Sequence, residues 1–272
     1  MVKETEISLN HPRAKSLKTR HNLVSHVESG VVTLAGVLAH GRGEAFDYLL
    51  GEKTTQTAYD AIKTAAAVML LAKHPVISVN GNIAALVPEG IIKLAEVTGA
   101  KIEVNLFHRT LTREESIKQL LEQHGATEVL GVGDACSAEI PEICSERRNV
   151  DPNGILVADV ILVPLEDGDR TEALRKMGKT VITVDLNPLS RTAQWANVTI
   201  VDEVARSFPL LIKEAKLLKS ESPENLRRIV SNFDNKKNLT TTIGQINQRL
   251  SNLAKQGVYI PEANELYKEH ET

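Results

Sequence analysis

The sequence has little cysteine: Cys136 and Cys144 are the two such residues in a chain of 272. They form no CxxC pair, which zinc sites commonly use, and two thiols are too few for a disulfide framework. The eight histidines form no HxH or HExxH pair, so they give a zinc site little support. A single disulfide between the two cysteines stays open, but this cysteine usage suits a reducing cytosol.

Long apolar runs are also missing. The most apolar stretch, "AAAVMLLA" at 65–72, has lysines at 63 and 73 close by. It is far shorter than the roughly 20 residues that a membrane span requires. The opening "MVKETEISLN" carries acids and no apolar core, so it does not resemble a signal peptide. We therefore expect a soluble, cytoplasmic protein with no membrane partner.

Positive charge is not concentrated anywhere along the chain. The formal net charge is −3, and lysine and arginine are scattered. This excludes the polybasic stripe with which proteins grip nucleic acid or anionic lipid. Small anionic ligands need only a few local arginines, so they remain the expected partners. With 42% hydrophobic residues, the chain is long enough to bury a substantial core.

Short apolar runs and helical patterns alternate through the middle of the chain. Runs typical of strands occur at 74–81, 100–107, 127–133, 157–165, 179–186 and 197–202. Helical spacing occurs between them at 88–99, 112–125, 169–178 and 190–196, and after them at 203–218. Near-continuous apolar strands separated by helices are typical of a parallel sheet covered on both faces. The pattern predicts a doubly wound α/β fold.

We expect a single domain over residues 1–272, in three parts. The N-terminal segment (1–73) is helical. Its first helix begins at Pro12, and a glycine-rich loop, "AHGRGEAFDYLLGE", joins it to the second. The sheet core covers 74–218, and C-terminal helices follow a linker, "SESPEN", over 219–272. The last helix has an apolar seam, Leu239, Ile243, Ile246, Leu250 and Leu253. This seam must cover either the protein's own sheet or a second subunit.

Polar clusters follow several of the predicted strands. "SVNGN" places Asn80 and Asn82 after one strand, with Asn82 as a helix N-cap, and Asn105 follows the next. "EDGDR" at 166–170 and "DLNPLSRT" at 185–192 follow two others. In open α/β sheets, ligands bind outside the carboxyl ends of the strands, where the crossover direction switches. We therefore expect one binding site at this edge of the sheet.

Two phosphate-binding motifs fail on inspection. "GVGDAC" at 131–136 has Cys136 at the position of the third glycine of GxGxxG, and no helix is predicted after it. "LGEKTT" at 50–55 has Glu52 between Gly51 and Lys53, and no strand precedes it. Neither a dinucleotide fingerprint nor a Walker motif is supported.

Charged residues cluster in the N-terminal segment. His40, Arg42, Glu44 and Asp47 lie within eight residues. The guanidinium group of an arginine can donate two parallel hydrogen bonds to phosphate or carboxylate oxygens. The alternative is an ordinary turn with solvated charges. Arg13 and Arg20 are seven residues apart, so one helix face would carry both, although surface charges often show this spacing too.

The motifs named above, together with "HPRAKSLKTR", "KIEVNLFHRT" and the long stretch 163–203, resemble the archaeal phosphopantothenate synthetase family, also called 4-phosphopantoate:β-alanine ligase. The resemblance covers residues 11–218. It implies a Rossmann-like fold, a homodimer, and an ATP-dependent ligase of coenzyme A biosynthesis. Such an enzyme joins 4-phosphopantoate to β-alanine and releases AMP and diphosphate.

The resemblance also implies the residues that bind ATP. They are Arg20, Arg42, Asp185, Leu186, Asn187, Arg191 and Thr192. A further pair follows the last strand, where the family has an amide and this chain has Glu203, next to Val204. The backbone of these two residues would have to serve there.

The remaining roles rest on placement. We expect Asn80, Asn82 and Asn105, with Arg13 and Arg170 as further candidates, to bind the substrate, and Arg42 and His40 to act in catalysis. Asp167 or Asp169 would position Mg²⁺ or the β-alanine ammonium group, with Glu44 and Asp47 as rivals. No residue set is assigned as a resident metal site.

Two other functions stay open on the sequence. One is an NAD(P)-dependent oxidoreductase on the same kind of sheet, against which the broken glycine motif argues. The other is a nucleotide-binding module without catalysis, which would bind ATP but not turn it over.

Overall fold

The computed structural model describes residues 13–257. Within them the strands are β1 (Pro75–Val79), β2 (Lys101–Val104), β3 (Ala138–Glu139), β4 (Asn149–Val150), β5 (Val160–Leu162), β6 (Thr180–Val184) and β7 (Val198–Ile200). The helices are α1 (Ala14–Ser25), α2 (Leu34–Leu50), α3 (Gln56–Leu71), α4 (Gly81–Leu86), α5 (Pro88–Thr98), α6 (Leu111–Gln123), α7 (Gly168–Lys176), α8 (Arg191–Trp195), α9 (Val204–Leu218), α10 (Pro223–Ser231) and α11 (Asn235–Gln256).

The central sheet has five parallel strands in the order β2-β1-β5-β6-β7. From β1 the chain moves to β2 at one edge and then returns to β5 on the other side of β1. The crossover direction therefore switches between β1 and β5, which is where a doubly wound sheet opens a crevice for ligands. The predicted α/β fold with a Rossmann-like parallel sheet is confirmed.

Both faces of this sheet are buried. In β1, Ile77 faces a core that α3, α5 and α9 complete, whereas Val76 faces a second core with α7 and the segment 138–158. In β6, Ile182 and Val181 divide between the same two cores. Successive side chains of a strand point to opposite faces, so a doubly covered sheet needs apolar residues at every position. This explains the near-continuous apolar runs.

The strand predicted at 127–133 is wrong. Only a single bridge forms there, in which the amide of Leu130 donates to the carbonyl of Ile102 beside β2. Gly131 follows with a φ of 78° and passes so close to β2 that a Cβ on it would lie 2.3 Å from the carbonyl oxygen of Val104. The left-handed backbone turns the chain away from the sheet edge.

Three predicted boundaries also shift. Thr110, not Thr112, caps α6 by accepting from the amide of Arg113. Asn80, not Asn82, caps α4. The "SESPEN" segment is not a linker throughout, because Pro223 occupies the first turn of α10. The predicted start at Pro12 lies outside the described residues.

The prediction of a glycine-rich loop at "AHGRGEAFDYLLGE" is wrong, because most of this stretch lies inside α2. Thr33 caps the start of the helix and Gly51, with a φ of 91°, ends it. Each internal glycine costs a helix about 1 kcal/mol relative to alanine. Tertiary contacts offset this cost: Gly36 lies against Asn82, whose Nδ2 donates to the carbonyl of Gly36 at 2.8 Å.

The residues of the apolar seam of α11 differ in burial. Leu239 is buried and Ile246 is partly buried against Leu186, on the protein's own core. Ile243 and Leu250 are exposed. The seam therefore covers its own chain in part, while residues 258–272 lie outside the described part.

Cys136 and Cys144 are both free thiols, so the open disulfide does not form. None of the helices between residues 13 and 257 combines the length and hydropathy of a bilayer-spanning segment.

Candidate active site

A cavity of about 600 Å³ lies along the carboxyl edge of the sheet. The ends of the five strands form its floor, and α2 forms one wall. The sequence-predicted residues that line it are His40, Arg42, Asn80, Asn82, Asp167, Asp185, Leu186, Asn187, Arg191, Thr192, Glu203 and Val204. The location predicted from the strand ends is therefore the location of the cavity.

At the end of β6, Asp185 organises the loop that follows. One carboxylate oxygen accepts from the amide of Asn187 at 2.9 Å, and the other accepts from the hydroxyl of Ser190 at 2.5 Å. Burial raises the pKa of Asp185, while these two bonds and the charge of Arg42 lower it. Ser190 in turn caps α8. The loop is thus a preformed turn with a carboxylate at its centre.

Arg191 and Thr192, at the start of α8, differ in how much they are fixed. The hydroxyl of Thr192 is buried and donates to the carbonyl of Glu166 at 2.7 Å. The side chain of Arg191 is 61% exposed and pairs with Asp169 and Glu172. These exposed pairs contribute little stability, so an anion in the cavity can compete for the guanidinium.

Glu203 and Val204 close the cavity at the end of β7. The carboxylate of Glu203 caps α9 by accepting from the amide of Arg206 at 3.0 Å. Burial raises the pKa of Glu203. This acid, at the position where the resemblance implies an amide, therefore has a local structural partner. Arg42 on α2 also lines the cavity, and it makes no hydrogen bond or ion pair within residues 13–257.

The end of β1 is held by two amide side chains. Asn80 caps α4 through its oxygen and donates through Nδ2 to the carbonyls of Pro164 and Leu165, at 3.0 and 3.2 Å. Leu165 has a φ of 53°, a costly conformation for a residue with a side chain. Asn82 donates through Nδ2 to the carbonyl of Gly36 in α2. Both amides line the cavity, and both fix its walls.

Glu166, at the end of β5, is the centre of a buried charge network. Its carboxylate accepts from Arg147 Nη1 at 2.9 Å and also contacts Nη1 of Arg170. Arg170 is 1% exposed and donates through Nη2 to the hydroxyl of Ser78 at 3.0 Å. Arg147 also pairs through Nε with Asp167 at 3.0 Å. Burial raises the pKa of Asp167.

Five of the predicted site residues do not line the cavity: Arg13, Arg20, Asn105, Asp169 and Arg170. Arg20 pairs with Glu44 at 2.7 Å on the outer side of α2, and Arg13 contacts Tyr48 there. The predicted shared face of these two arginines is therefore present, but it lies beside α2. The rivals Glu44 and Asp47 do not line the cavity either.

Two cavity-lining residues escape sequence reasoning. Arg113 lies in a helix that reads as an ordinary amphipathic element, and Arg147 lies in the aperiodic segment between Asp134 and Gly154. Neither has a motif around it. Their role follows only from which carbonyls and carboxylates they meet in three dimensions.

His40 stands out among the titratable groups on α2. Burial lowers its pKa from the usual 6.5, although Glu44 nearby acts in the opposite direction. The imidazole is therefore neutral at pH 7 and can accept a hydrogen bond or a proton.

Metal binding has limited support. No group of three or more histidine, cysteine, aspartate or glutamate side chains within the described residues can hold a metal ion. At "GVGDAC", the sequence predicts no helix after the glycines, and Gly133–Ala135 forms a single 3₁₀ turn where a dinucleotide-binding helix would begin.

Comparison with known proteins identifies the family. The model of the phosphopantothenate/pantothenate synthetase family matches residues 57–249. The chain belongs to this family. It is 50% identical to a 4-phosphopantoate–beta-alanine ligase of Thermococcus kodakarensis over 254 residues, which cover 93% of this chain and 97% of that protein. It is 48% identical to the ligase of Methanosarcina mazei over 255 residues, which cover 94% of this chain and all of that protein.

The family match and the relatives cover different parts of the site. The family model begins at residue 57, so it includes the strand ends but not α2. The archaeal relatives align over more than nine tenths of the chain. These alignments therefore include the part of this chain that carries His40 and Arg42.

Proposed function

We propose that this chain is an ATP-dependent ligase that joins 4-phosphopantoate to β-alanine and yields 4′-phosphopantothenate in coenzyme A biosynthesis. The observation that carries the proposal is that one cavity contains both a preformed carboxylate turn at Asp185 and the guanidinium of Arg42, which makes no hydrogen bond or ion pair within residues 13–257. The archaeal relatives, which are named as this ligase over nearly their whole length, supply the substrates.

The proposed chemistry has two steps. The carboxylate of 4-phosphopantoate attacks the α-phosphorus of ATP, which forms an acyl adenylate and releases diphosphate. The amine of β-alanine then attacks the acyl carbon, which forms the amide and releases AMP. Both reactants of the first step are anions, so catalysis depends on positioning and on nearby positive charge.

Each proposed nucleotide contact has a place in this scheme. Asp185 accepts from a ribose hydroxyl or the adenine amine, while Leu186, Asn187 and Thr192 shape the turn around the nucleotide. Arg42 and Arg191 neutralise the phosphates, and Arg191 exchanges its surface partners for them. The backbone of Glu203 and Val204 closes the pocket.

Mg²⁺ is proposed as a companion of ATP. It is usually held by one or two carboxylates together with the phosphates of the substrate, so a dedicated protein cage is not needed. Asp167 is the half-exposed carboxylate at the cavity wall and is the candidate contact. Asp169, paired with Arg191, is the second.

The proposal is tested by an end-point assay with ATP, Mg²⁺, 4-phosphopantoate and β-alanine, in which the products are identified by mass. We expect phosphopantothenate with AMP. Product with ADP would contradict the adenylate step, and no product from a folded protein that binds ATP would overturn the ligase. Arg42→Ala should lower kcat/KM by about a hundredfold or more, whereas Arg227→Ala on exposed α10 should leave it unchanged.

We also propose a homodimer formed through the outer face of α2. Leu34, Leu38, Gly41, Ala45 and Tyr48 recur at helical spacing along this face, and all are exposed. Leu34 and Leu38 are 72% and 76% exposed, which is unusual for adjacent leucines on one helix. The small residues in the middle would allow two copies of α2 to approach closely.

This interface would also account for Arg20. Its guanidinium lies within 3.5 Å of the Tyr48 hydroxyl, beside the exposed face of α2, so a second copy packed there brings its own Arg20 next to α2. Sedimentation equilibrium tests the interface: Leu38→Asp should give a monomer, and Leu217→Asp, on exposed α9 surface, should not. Dissociation by Leu250→Asp instead would assign the interface to α11.

A further inference from the structure

Arg147 spans the carboxyl end of β1. Its Nη1 donates both to the carbonyl of Asn105, after β2, and to the carboxylate of Glu166, after β5, at 3.2 and 2.9 Å. Since β1 lies between β2 and β5 in the sheet, the guanidinium lies above the end of β1. Its Nη2 makes no hydrogen bond to any residue between 13 and 257.

Arg113 reaches the same place from α6. Its three nitrogens donate to the carbonyls of Gly30, Val31 and His108. A Cβ on Gly81, the second residue after the end of β1, would lie 3.3 Å from Nη2 of Arg113. The two guanidinium groups are close enough that the charge of Arg147, after burial, helps to lower the pKa of Arg113.

The charges at this end of the cavity do not cancel. Arg113 is bonded to carbonyls and to no carboxylate. Arg147 and Arg170 share Glu166, and Asp167 is the other carboxylate in contact with Arg147. Three guanidinium groups are therefore accompanied by two carboxylates in direct contact.

Glu103 also acts on Arg170 through its charge, but burial raises the pKa of Glu103 to about 7, so it is only partly ionised at neutral pH. The positive charge is left in excess in a partly buried place where an unbalanced charge is costly. A bound anion would complete the cluster.

This cluster lies apart from the contacts proposed for the nucleoside, although Asp167, the proposed Mg²⁺ contact, belongs to both because it pairs with Arg147 at 3.0 Å. Asp185 and Glu203 follow β6 and β7, which are two and three strands away from β1. Neighbouring strands lie about 4.8 Å apart, so the two places are separated by roughly 10 Å or more. The cavity therefore has room for a nucleoside at one end and a second anion at the other.

We propose that the end of β1 is a site for a phosphate monoester, held by Arg147 and by the charge of Arg113, and that it recognises the 4-phosphate of the acid substrate. The identity of that substrate rests on the proposed function. Glu166 and Asn105 act as positioning residues, because Asn105 Nδ2 donates to the carbonyl of Arg147 at 3.1 Å and Glu166 orients the guanidinium. The terminal phosphates of ATP are the other source of the same chemistry.

The test compares Arg147→Met with Arg148→Met, its exposed neighbour, as the matched control. Titration calorimetry with a saturating non-hydrolysable ATP analogue measures the dissociation constants of 4-phosphopantoate and of pantoate, with inorganic phosphate as competitor. Arg147→Lys, which keeps a charge beside Glu166, serves if the methionine variant fails to fold. The affinity for the ATP analogue is measured separately.

We expect the wild type and Arg148→Met to prefer 4-phosphopantoate over pantoate. Arg147→Met should reduce that preference by about 10- to 100-fold, the effect of losing a hydrogen bond to a charged group, with analogue affinity within about twofold. The preference of Arg147→Lys for 4-phosphopantoate should lie between those of the wild type and Arg147→Met.

The outcomes separate the two proposals. An unchanged preference in Arg147→Met would overturn the phosphate site and leave the ligase intact. If Arg147→Met instead weakened binding of the ATP analogue, the cluster would bind the phosphates of ATP, and the proposed site for the 4-phosphate would be overturned as well. If the wild type bound inorganic phosphate through Arg147 but neither organic acid, the phosphate site would stand and the proposed function would fall.

Discussion

Asp47 of α2 and Arg206 of α9 form a two-pronged ion pair, in which Nη1 and Nη2 donate to the two carboxylate oxygens at 2.8 and 2.6 Å. Arg206 also donates to Asp202, which follows β7 and is 1% exposed. Parallel hydrogen bonds of this kind fix orientation as well as distance. The pair therefore attaches the wall of the cavity, α2, to the far edge of the sheet.

Asp47→Asn should destabilise the protein by about 1–3 kcal/mol, because Arg206 loses half of its charge compensation in a largely buried place. Urea denaturation followed by circular dichroism measures the change. Asp60→Asn, at an exposed position on α3, is the matched control and should stay within about 0.5 kcal/mol. An equal loss in both variants would show that the pair adds nothing specific.

Glu103 makes stability depend on pH. The side chain lies in β2 with no exposure, and its two oxygens accept from the amides of Asp151 and Ile155 at 3.0 and 2.5 Å. Burial raises its pKa from 4.5 to about 7, although the two backbone hydrogen bonds act in the opposite direction. The folded protein thus holds a proton that the unfolded chain releases above pH 4.5.

The free energy of unfolding should therefore fall as the pH rises from about 4.5 to about 7, and level off above that. The contribution of this one group is about 3 kcal/mol. The measurement is the difference between wild type and Glu103→Gln across that range, which removes the effects of other acids. A difference that is independent of pH would contradict the raised pKa.

Much of the fold could be predicted because it depends on periodicity. The runs around Ile77, Ile161 and Ile182 are apolar on both sides, and that pattern alone predicts a doubly covered parallel sheet. The position of the cavity follows, because the ends of parallel strands meet at one edge. Asp185, Asn187 and Asn80 lie at that edge for this reason.

What could not be predicted depends on contacts between distant segments. Gly41 and Gly43 predict a loop when read locally, but the caps at Thr33 and Gly51 and the packing of Gly36 on Asn82 favour a helix. Arg147 lies in an aperiodic segment, and its place above β1 is decided by Glu166, 19 residues later. Local propensity carries no information on such partners.

Gly36→Ala should harm the protein although alanine is the better helix former. A Cβ on Gly36 would lie 2.3 Å from Oδ1 of Asn82, so either the Asn82 side chain gives up its hydrogen bond to the Gly36 carbonyl or α2 moves away from the end of β1. We expect lower ligase activity and a net loss of stability of about 1–3 kcal/mol. Gly244→Ala in α11, where a Cβ meets nothing within 4 Å, should instead stabilise by about 0.5–1 kcal/mol. Stabilisation in both variants would contradict the close contact.

His40 should act in the second step of the proposed reaction. β-Alanine is an ammonium ion in solution and must lose a proton before its amine can attack the acyl carbon. His40 lines the cavity, and burial lowers its pKa, so the base form is present at neutral pH. The two half-reactions can be measured apart, because phosphopantoate-dependent exchange between ATP and diphosphate reports the first and amide formation reports the second.

His40→Gln should slow amide formation by about 10²- to 10⁴-fold and leave the exchange reaction within a few fold of wild type. In the wild type the rate of amide formation should rise with pH through the lowered pKa of His40 and reach a plateau above 6.5, and this rise should be absent in the variant. His74→Gln, on the exposed turn before β1, is the control and should change neither rate. Equal losses in both half-reactions would place His40 with the nucleotide contacts, and no loss in either would remove it from the mechanism.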